Sequence, residues 1–161
     1  LGKSVTGLAK QAVAGWRLNA IGFYQTGLPF TVTNQTPTIN LPGVTSDRPN
    51  QVAPWQLPNP DLQEWFNPAA FQVQTKGTLG DEGRNQLYGP PLRALNLSMF
   101  KDFRLVERWT LQFRAECFNI TNTANFGAPN AGIGLPGFGT ISSTTLGASP
   151  RQLQFALKLL F

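Results

Sequence analysis

Four stretches of the chain alternate apolar and polar residues with a period of two, the pattern of a β-strand with one buried face. "WRLNAIGFYQ" puts Trp16, Leu18, Ala20, Gly22 and Tyr24 on one face, against Arg17, Asn19, Ile21, Phe23 and Gln25. "ALNLSMFKDF" puts Leu95, Leu97, Met99 and Phe103 together, with Lys101 intruding, against Ala94, Asn96, Ser98, Phe100 and Asp102. "WTLQFRAECF" gives Trp109, Leu111, Phe113, Ala115 and Cys117 against Thr110, Gln112, Arg114, Glu116 and Phe118. In "RQLQFALKLLF" one face reads Leu153, Phe155, Leu157, Leu159 and Phe161. The pattern predicts strands over about 16–25, 94–103, 109–118 and 151–161, joined by long loops over about 26–92 and 119–150.

Strand length separates two ways of hiding such faces. Strands of soluble proteins average about 5–6 residues. A strand of ten or eleven residues, tilted by about 45°, covers roughly 25 Å, the height of the apolar band of an outer-membrane barrel. The connections also run long, short, long, as they do in barrels with short periplasmic turns and long extracellular loops. The expected fold class is therefore all-β: an antiparallel transmembrane β-barrel fragment with long extracellular loops. Four strands cannot close a barrel, whose smallest forms have about eight, and the sequence opens on Leu1 without a signal peptide, so a fragment is expected.

With the last strand running towards the periplasm, Trp16, Phe103, Trp109 and Phe161 fall at one end of their apolar faces, as a membrane girdle would. Lys101 lies near that boundary, within snorkelling distance of lipid headgroups. The opposite faces form an expected lumen wall that includes Arg17, Asn96, Gln112, Arg114, Glu116 and Lys158. Pairing about the short turn near 104–108 sets Met99 opposite Phe113, Leu97 opposite Ala115, Ser98 opposite Arg114 and Asn96 opposite Glu116.

Composition sharpens this picture in two places. Charged residues make up only 13% of the 161, against 41% hydrophobic, so part of the surface is expected to meet something other than water. Ten of the 13 prolines fall between Pro29 and Pro91, which marks the first long connection as loop. The net charge of +5 comes from 13 Lys and Arg scattered along the chain without a cluster, so nucleic acid is not an expected partner. No run of 18 apolar residues predicts a membrane-spanning helix.

Candidate chemistry is sparse, and neither an enzyme nor a cofactor or metal site is expected. There is no histidine, and the single Cys117 reads as a small apolar residue. "GIGLPG" (Gly132–Gly137) has glycine spacing like a dinucleotide fingerprint but lacks the strand, helix and distal acid that such a site needs. The adjacent Asp81 and Glu82 read as solvated loop acids or partners of Arg84. Trp55, Trp65, Phe66 and Phe71 are either contacts for a sugar or peptide ligand or the apolar anchors that order a long loop. The first option belongs with a competing reading, a secreted soluble β-rich carbohydrate-binding module, which would need a second sheet to cover the apolar faces.

From Gly15 onwards, "GWRLNAIGFYQTGLPFTVT", "DRPN", "WFNPAAF", "GRNQLYGPPLRALNLSMFKDFRL", "LQFRAECFNITNTANFGAP" and "PRQLQFALKLLF" occur in an order and spacing that resembles the C-terminal end of TonB-dependent, Oar-like outer-membrane receptors with a carboxypeptidase-regulatory-like domain. "FNITNTANF" departs from the usual family wording at Ile120 and Thr123. The resemblance implies the last four or so strands of a barrel of about 22 strands. Plug and N-terminal domains would lie outside this sequence, and the TonB complex would act only through that plug. It implies a cell outer-membrane location and uptake of a large nutrient, such as a siderophore, oligosaccharide or peptide. It also implies contact with outer-membrane lipid, and a terminal strand (Leu153, Phe155, Leu157, Leu159, Phe161) read by the barrel-insertion machinery.

Overall fold

The computed structural model describes residues 13–35, 46–106 and 108–161. In chain order the strands are β1 (Trp16–Gln25), β2 (Pro29–Phe30), β3 (Thr33–Asn34), β4 (Asn50–Gln51), β5 (Phe71–Gln72), β6 (Leu87–Tyr88), β7 (Leu92–Val106), β8 (Trp109–Phe118), β9 (Gly132–Ile133) and β10 (Gln152–Leu160). Among the described residues one 3-10 turn, Pro68–Ala70, precedes β5. The chain divides into two compact units, one built on the four long strands and one on the residues between them.

The first unit is a sheet in the order β1-β7-β8-β10. The period-two stretches are its strands, and β8 has the bounds that its sequence pattern predicts. β7 runs three residues beyond its predicted end, to Val106, so only residues 107 and 108 separate it from β8. That short connection corrects the pairing read from the sequence. Met99 faces Ala115, Leu97 faces Cys117, Ser98 faces Glu116 and Phe100 faces Arg114, and the register shifts between Arg104 and Val106. A two-residue displacement preserves the side-chain period, so every residue keeps its face and only its partner changes. β8 and β10 pair without interruption from Phe118↔Gln152 to Thr110↔Leu160.

A polar node fixes the far end of β8. Asn119 is buried with φ at 49° and donates from Nδ2 to the carbonyls of Thr123 and Ser149, both at 3.0 Å. Its Oδ1 accepts the Thr123 N–H, while Asn96 Oδ1 accepts the Asn119 N–H at 2.9 Å. Asn122 likewise takes the Arg151 N–H at the start of the last strand. Asparagine tolerates the left-handed backbone and bonds locally, which suits it to both positions. One compact turn thus ties β7, β8 and the segment leading into β10.

The outer strands of this sheet are open on both faces. Every residue of β10 is exposed, including Phe155 and Leu157 at 66% and 68%, and Leu18 of β1 is 66% exposed. No helix among the described residues is long and apolar enough to cross a membrane.

The second unit comprises Gln25–Leu92 and Asn125–Ala148, so the two long connections fold together. Three two-residue ladders, β2 with β6, β3 with β9 and β4 with β5, clip it together. Its core is Val32, Phe66, Ala70, Phe71 and Leu87, with Phe30, Ala53, Trp55, Trp65, Ile133 and Phe138 packed around it. Phe66 is fully buried and meets Phe30, Phe71 and Phe138 at centroid distances of 5.9, 5.7 and 5.2 Å. The contacts with Phe71 and Phe138 are edge-to-face, and such packing adds about 0.5–1.5 kcal/mol per pair to the burial itself.

Candidate functional site

The sheet presents two chemically different faces. On the polar one, a row of side chains crosses three strands. Arg17 Nη2 of β1 pairs with Asp102 Oδ2 of β7 at 2.6 Å. Asp102 Oδ1 accepts from Gln112 Nε2 of β8 at 2.8 Å, and Gln112 Oε1 accepts from Arg114 Nε at 2.8 Å. The Arg114 guanidinium lies 5.1 Å from the centre of the Phe100 ring. Register explains the row, since Asp102 faces Gln112 and Phe100 faces Arg114 across the β7/β8 ladder. Arg17, Asn19, Phe100, Gln112 and Arg114 line an open depression of about 250 Å³.

Of the expected wall residues, Arg17, Gln112 and Arg114 come together in this row. Asn96, Glu116 and Lys158 share the face but serve elsewhere. Asn96 holds the β8 end node, Glu116 stands between Ser98 and Gln154, and Lys158 stands opposite Gln112. Phe100 is the residue that a polar reading of this face underrates: its ring carries a guanidinium. The signal was its position beside Arg114 once the register is known.

The other face collects aromatics at the end where β7 turns into β8. Trp109 and Phe161 pack at 5.4 Å, while Trp16 and Phe103 both look onto Lys101 Nζ, at 5.7 and 5.4 Å. The four expected girdle residues therefore form two pairs. Trp16 also meets Phe113 edge-on at 6.4 Å, and Phe113 stacks with Phe155 at 6.3 Å. Lys101 does not reach out into the surroundings. It is 2% exposed, and its ammonium donates to the Ala14 carbonyl beneath these rings. Its charge is met by a carbonyl and two ring faces, which offset the loss of water. Leu153, Phe155, Leu157 and Leu159 continue this face along β10, and Cys117 joins it opposite Leu97 and Leu153.

Two of the four loop aromatics lie in the core of the second unit, and two at its margin. Phe66 and Phe71 are 0% and 4% exposed, so they are core residues of the loop unit. Trp65 is partly buried and donates from Nε1 to the Tyr88 carbonyl at 2.8 Å; Trp55 packs at the core margin. The glycine-rich stretch is a docking edge. Thr33 N–H donates to the Ala131 carbonyl and Trp65 N–H to the Gly139 carbonyl. Gly139 has φ at 86°, and a Cβ there would stand 3.1 Å from Pro68 Cγ.

Glu82 departs from its expected role as a solvated acid. It is 1% exposed, and neither carboxylate oxygen accepts a hydrogen bond of normal geometry among the described residues. Burial pushes its pKa up to about 7, against the smaller opposing effects of the Val32 N–H and Arg48. Its neighbour Asp81 stays exposed and accepts the Gln51 N–H at 2.7 Å. Among the described residues no three His, Cys, Asp or Glu side chains cluster as metal ligands would.

A single-layer sheet of long strands, polar on one face and apolar on the other, is the wall of a barrel in a membrane. The chain belongs to the outer membrane beta barrel domain family. That family model covers residues 1–154. Membership places this barrel domain in the outer membrane and sets aside the secreted soluble module. No curated protein and no solved structure matches the chain.

Proposed function

We propose that this barrel domain is part of a TonB-dependent, Oar-like receptor, and that it contributes barrel wall and ligand-entrance loops for the energised uptake of a large nutrient. The observation that carries the reading is the co-folding of the two long connections. Arg17 meets Asp102 and Tyr24 meets Arg93, so β1 runs against β7 and in the direction of β8, and the connections after Gln25 and Phe118 leave the sheet at one end. They make an ordered unit with its own aromatic core, and such a unit is suited to gating or recognition rather than to simple linkage.

In this reading the apolar face, with Trp16, Phe103, Trp109 and Phe161 at its periplasmic end, meets outer-membrane lipid. The row Arg17–Asp102–Gln112–Arg114 faces the lumen. A ten-residue strand such as β8, rising about 3.3 Å per residue and tilted by about 45°, spans roughly 23 Å, which suits the apolar band. β1 and β10 are the outer strands of the four-stranded sheet, so a closed barrel requires further strands at both edges. The alternating apolar β10 with Phe161 is the segment offered to the insertion machinery. No catalytic step is assigned to any residue.

Uptake in cells provides the test. Radiolabelled ferric siderophores, oligosaccharides and peptides too large for porins are offered to cells with and without the full-length gene. Uptake of one class should require the gene and stop when a protonophore collapses the inner-membrane proton gradient. If no class depends on the gene, or if uptake is indifferent to the protonophore, the transport reading fails while the barrel assignment stands.

A further inference from the structure

The acid-bearing segment of the loop unit is fastened to the chain before and within β4 by a set of short-range contacts. Glu82 N–H donates to the Pro49 carbonyl at 3.1 Å, and Arg48 Nη1 donates to the Glu82 carbonyl at 2.7 Å. Gln51 N–H donates to Asp81 Oδ1 at 2.7 Å, and Asp81 N–H to Asn50 Oδ1 at 3.3 Å. At Gly80 the approach is so close that a Cβ would stand 1.9 Å from the Arg48 carbonyl oxygen. This strap carries Glu82 inward, where its carboxyl is 1% exposed and neither oxygen accepts a hydrogen bond of normal geometry among the described residues. A buried carboxyl so weakly partnered is more stable neutral than charged. We propose that residues 80–83 form a pH-released strap of the loop unit, docked while Glu82 is protonated and loosened when it ionises.

The groups facing Glu82 are few. Arg48 and the Val32 N–H favour its charged form, and Asp81, the other acid of the strap, is engaged by Gln51. Desolvation outweighs them and holds the docked-state pKa near 7, against an ordinary 4.5. A raised carboxyl pKa means that the docked strap binds the extra proton. Docking is therefore strongest below about 4.5, weakens as pH rises from there, and levels off above about 7. Neutral and alkaline surroundings release the strap, and acid surroundings close it. The device depends on the loop unit alone and not on which nutrient is carried.

Amide hydrogen exchange on the full-length protein in detergent micelles tests it, with rates corrected for the intrinsic pH effect. Protection of the Glu82 and Gln51 amides should fall on the order of 100-fold between pH 4.5 and pH 8. The Thr33 amide, bonded to Ala131, should keep its protection throughout. In Glu82→Gln, and in Glu82→Met as an apolar replacement of similar length, the Glu82-position and Gln51 amides should stay protected across the range. Flat protection in the wild type, or an equal fall in both variants, overturns the proposal.

Discussion

Phe138 rests edge-on against Phe66, ring centroids 5.2 Å apart and planes at 74°, and thereby joins two connections that are separated in sequence by β7 and β8. Phe66 comes from the first connection and Phe138 from the second, and Phe71 at 6.3 Å completes the cluster around Phe138. The first connection supplies the buried core of the loop unit, and the second covers it with Ile133 and Phe138.

Truncation at this contact should separate the two connections. Phe138 is only partly buried, so Phe138→Ala is expected to cost about 2–3 kcal/mol of local stability, below the usual range for a fully buried ring. Limited proteolysis of intact outer membranes should then nick the segment 125–148 faster. The heat-modifiable gel shift of the folded barrel should not change, because the sheet is a separate unit. A proteolysis pattern equal to wild type would show that the ring contact does not hold the connections together.

A second substitution tests the same seam through the backbone. Gly139 adopts φ of 86°, a conformation that side chains disfavour, and its Cβ position is crowded by Pro68. Gly139→Ala should cost about 1–2 kcal/mol from the backbone alone. Gly134, with φ at 85° but nothing within 4 Å of its Cβ position, provides the comparison. Gly134→Ala should show the conformational cost without the clash, so amide protection in the loop unit should fall more in the Gly139 variant.

The sheet was legible in the sequence because a period of two survives in ten-residue strands, and β8 was bounded correctly on that basis alone. The pairing of β7 with β8 was not, since it depends on a two-residue connection and an irregularity at Arg104 and Val106 that leave no mark in the apolar pattern. The face of each residue was still right, because the displacement was even. Lys101 shows the limit of face assignment: its side was read correctly, but its burial under Trp16 and Phe103 depends on neighbouring strands. The loop core was illegible because contacts such as Phe66 with Phe138 follow no period. Glu82 looked like any loop acid, for nothing in "LGDEG" reveals that the chain turns it inward.

The polar row should be more tolerant than its geometry suggests. Arg17 and Asp102 are 58% and 36% exposed at their side chains, and exposed ion pairs contribute about 0–1 kcal/mol. Asp102→Asn keeps an acceptor for Gln112 and should leave barrel stability in urea within that range. Asp102→Leu removes the acceptor for both Arg17 and Gln112 and should lower stability further. Equal effects of the two variants would mean that the row contributes nothing as a network.

The sharpest discrimination between the two faces lies in adjacent residues of β10. Leu157 is on the apolar face, opposite Phe113, and Ala156 is on the polar face, opposite Arg114. If the apolar face meets lipid, Leu157→Arg places a charge in the bilayer, at about 2–4 kcal/mol near the midplane. The full-length protein should then lose much of its folded, heat-modifiable form in the outer-membrane fraction. Ala156→Gln adds polar bulk one residue away on the lumenal side and should leave that fraction near its wild-type level. A reversed outcome, with Leu157→Arg tolerated and Ala156→Gln disruptive, would turn the sheet inside out. It would place Arg17 and Arg114 towards the membrane and overturn the assignment of the two faces.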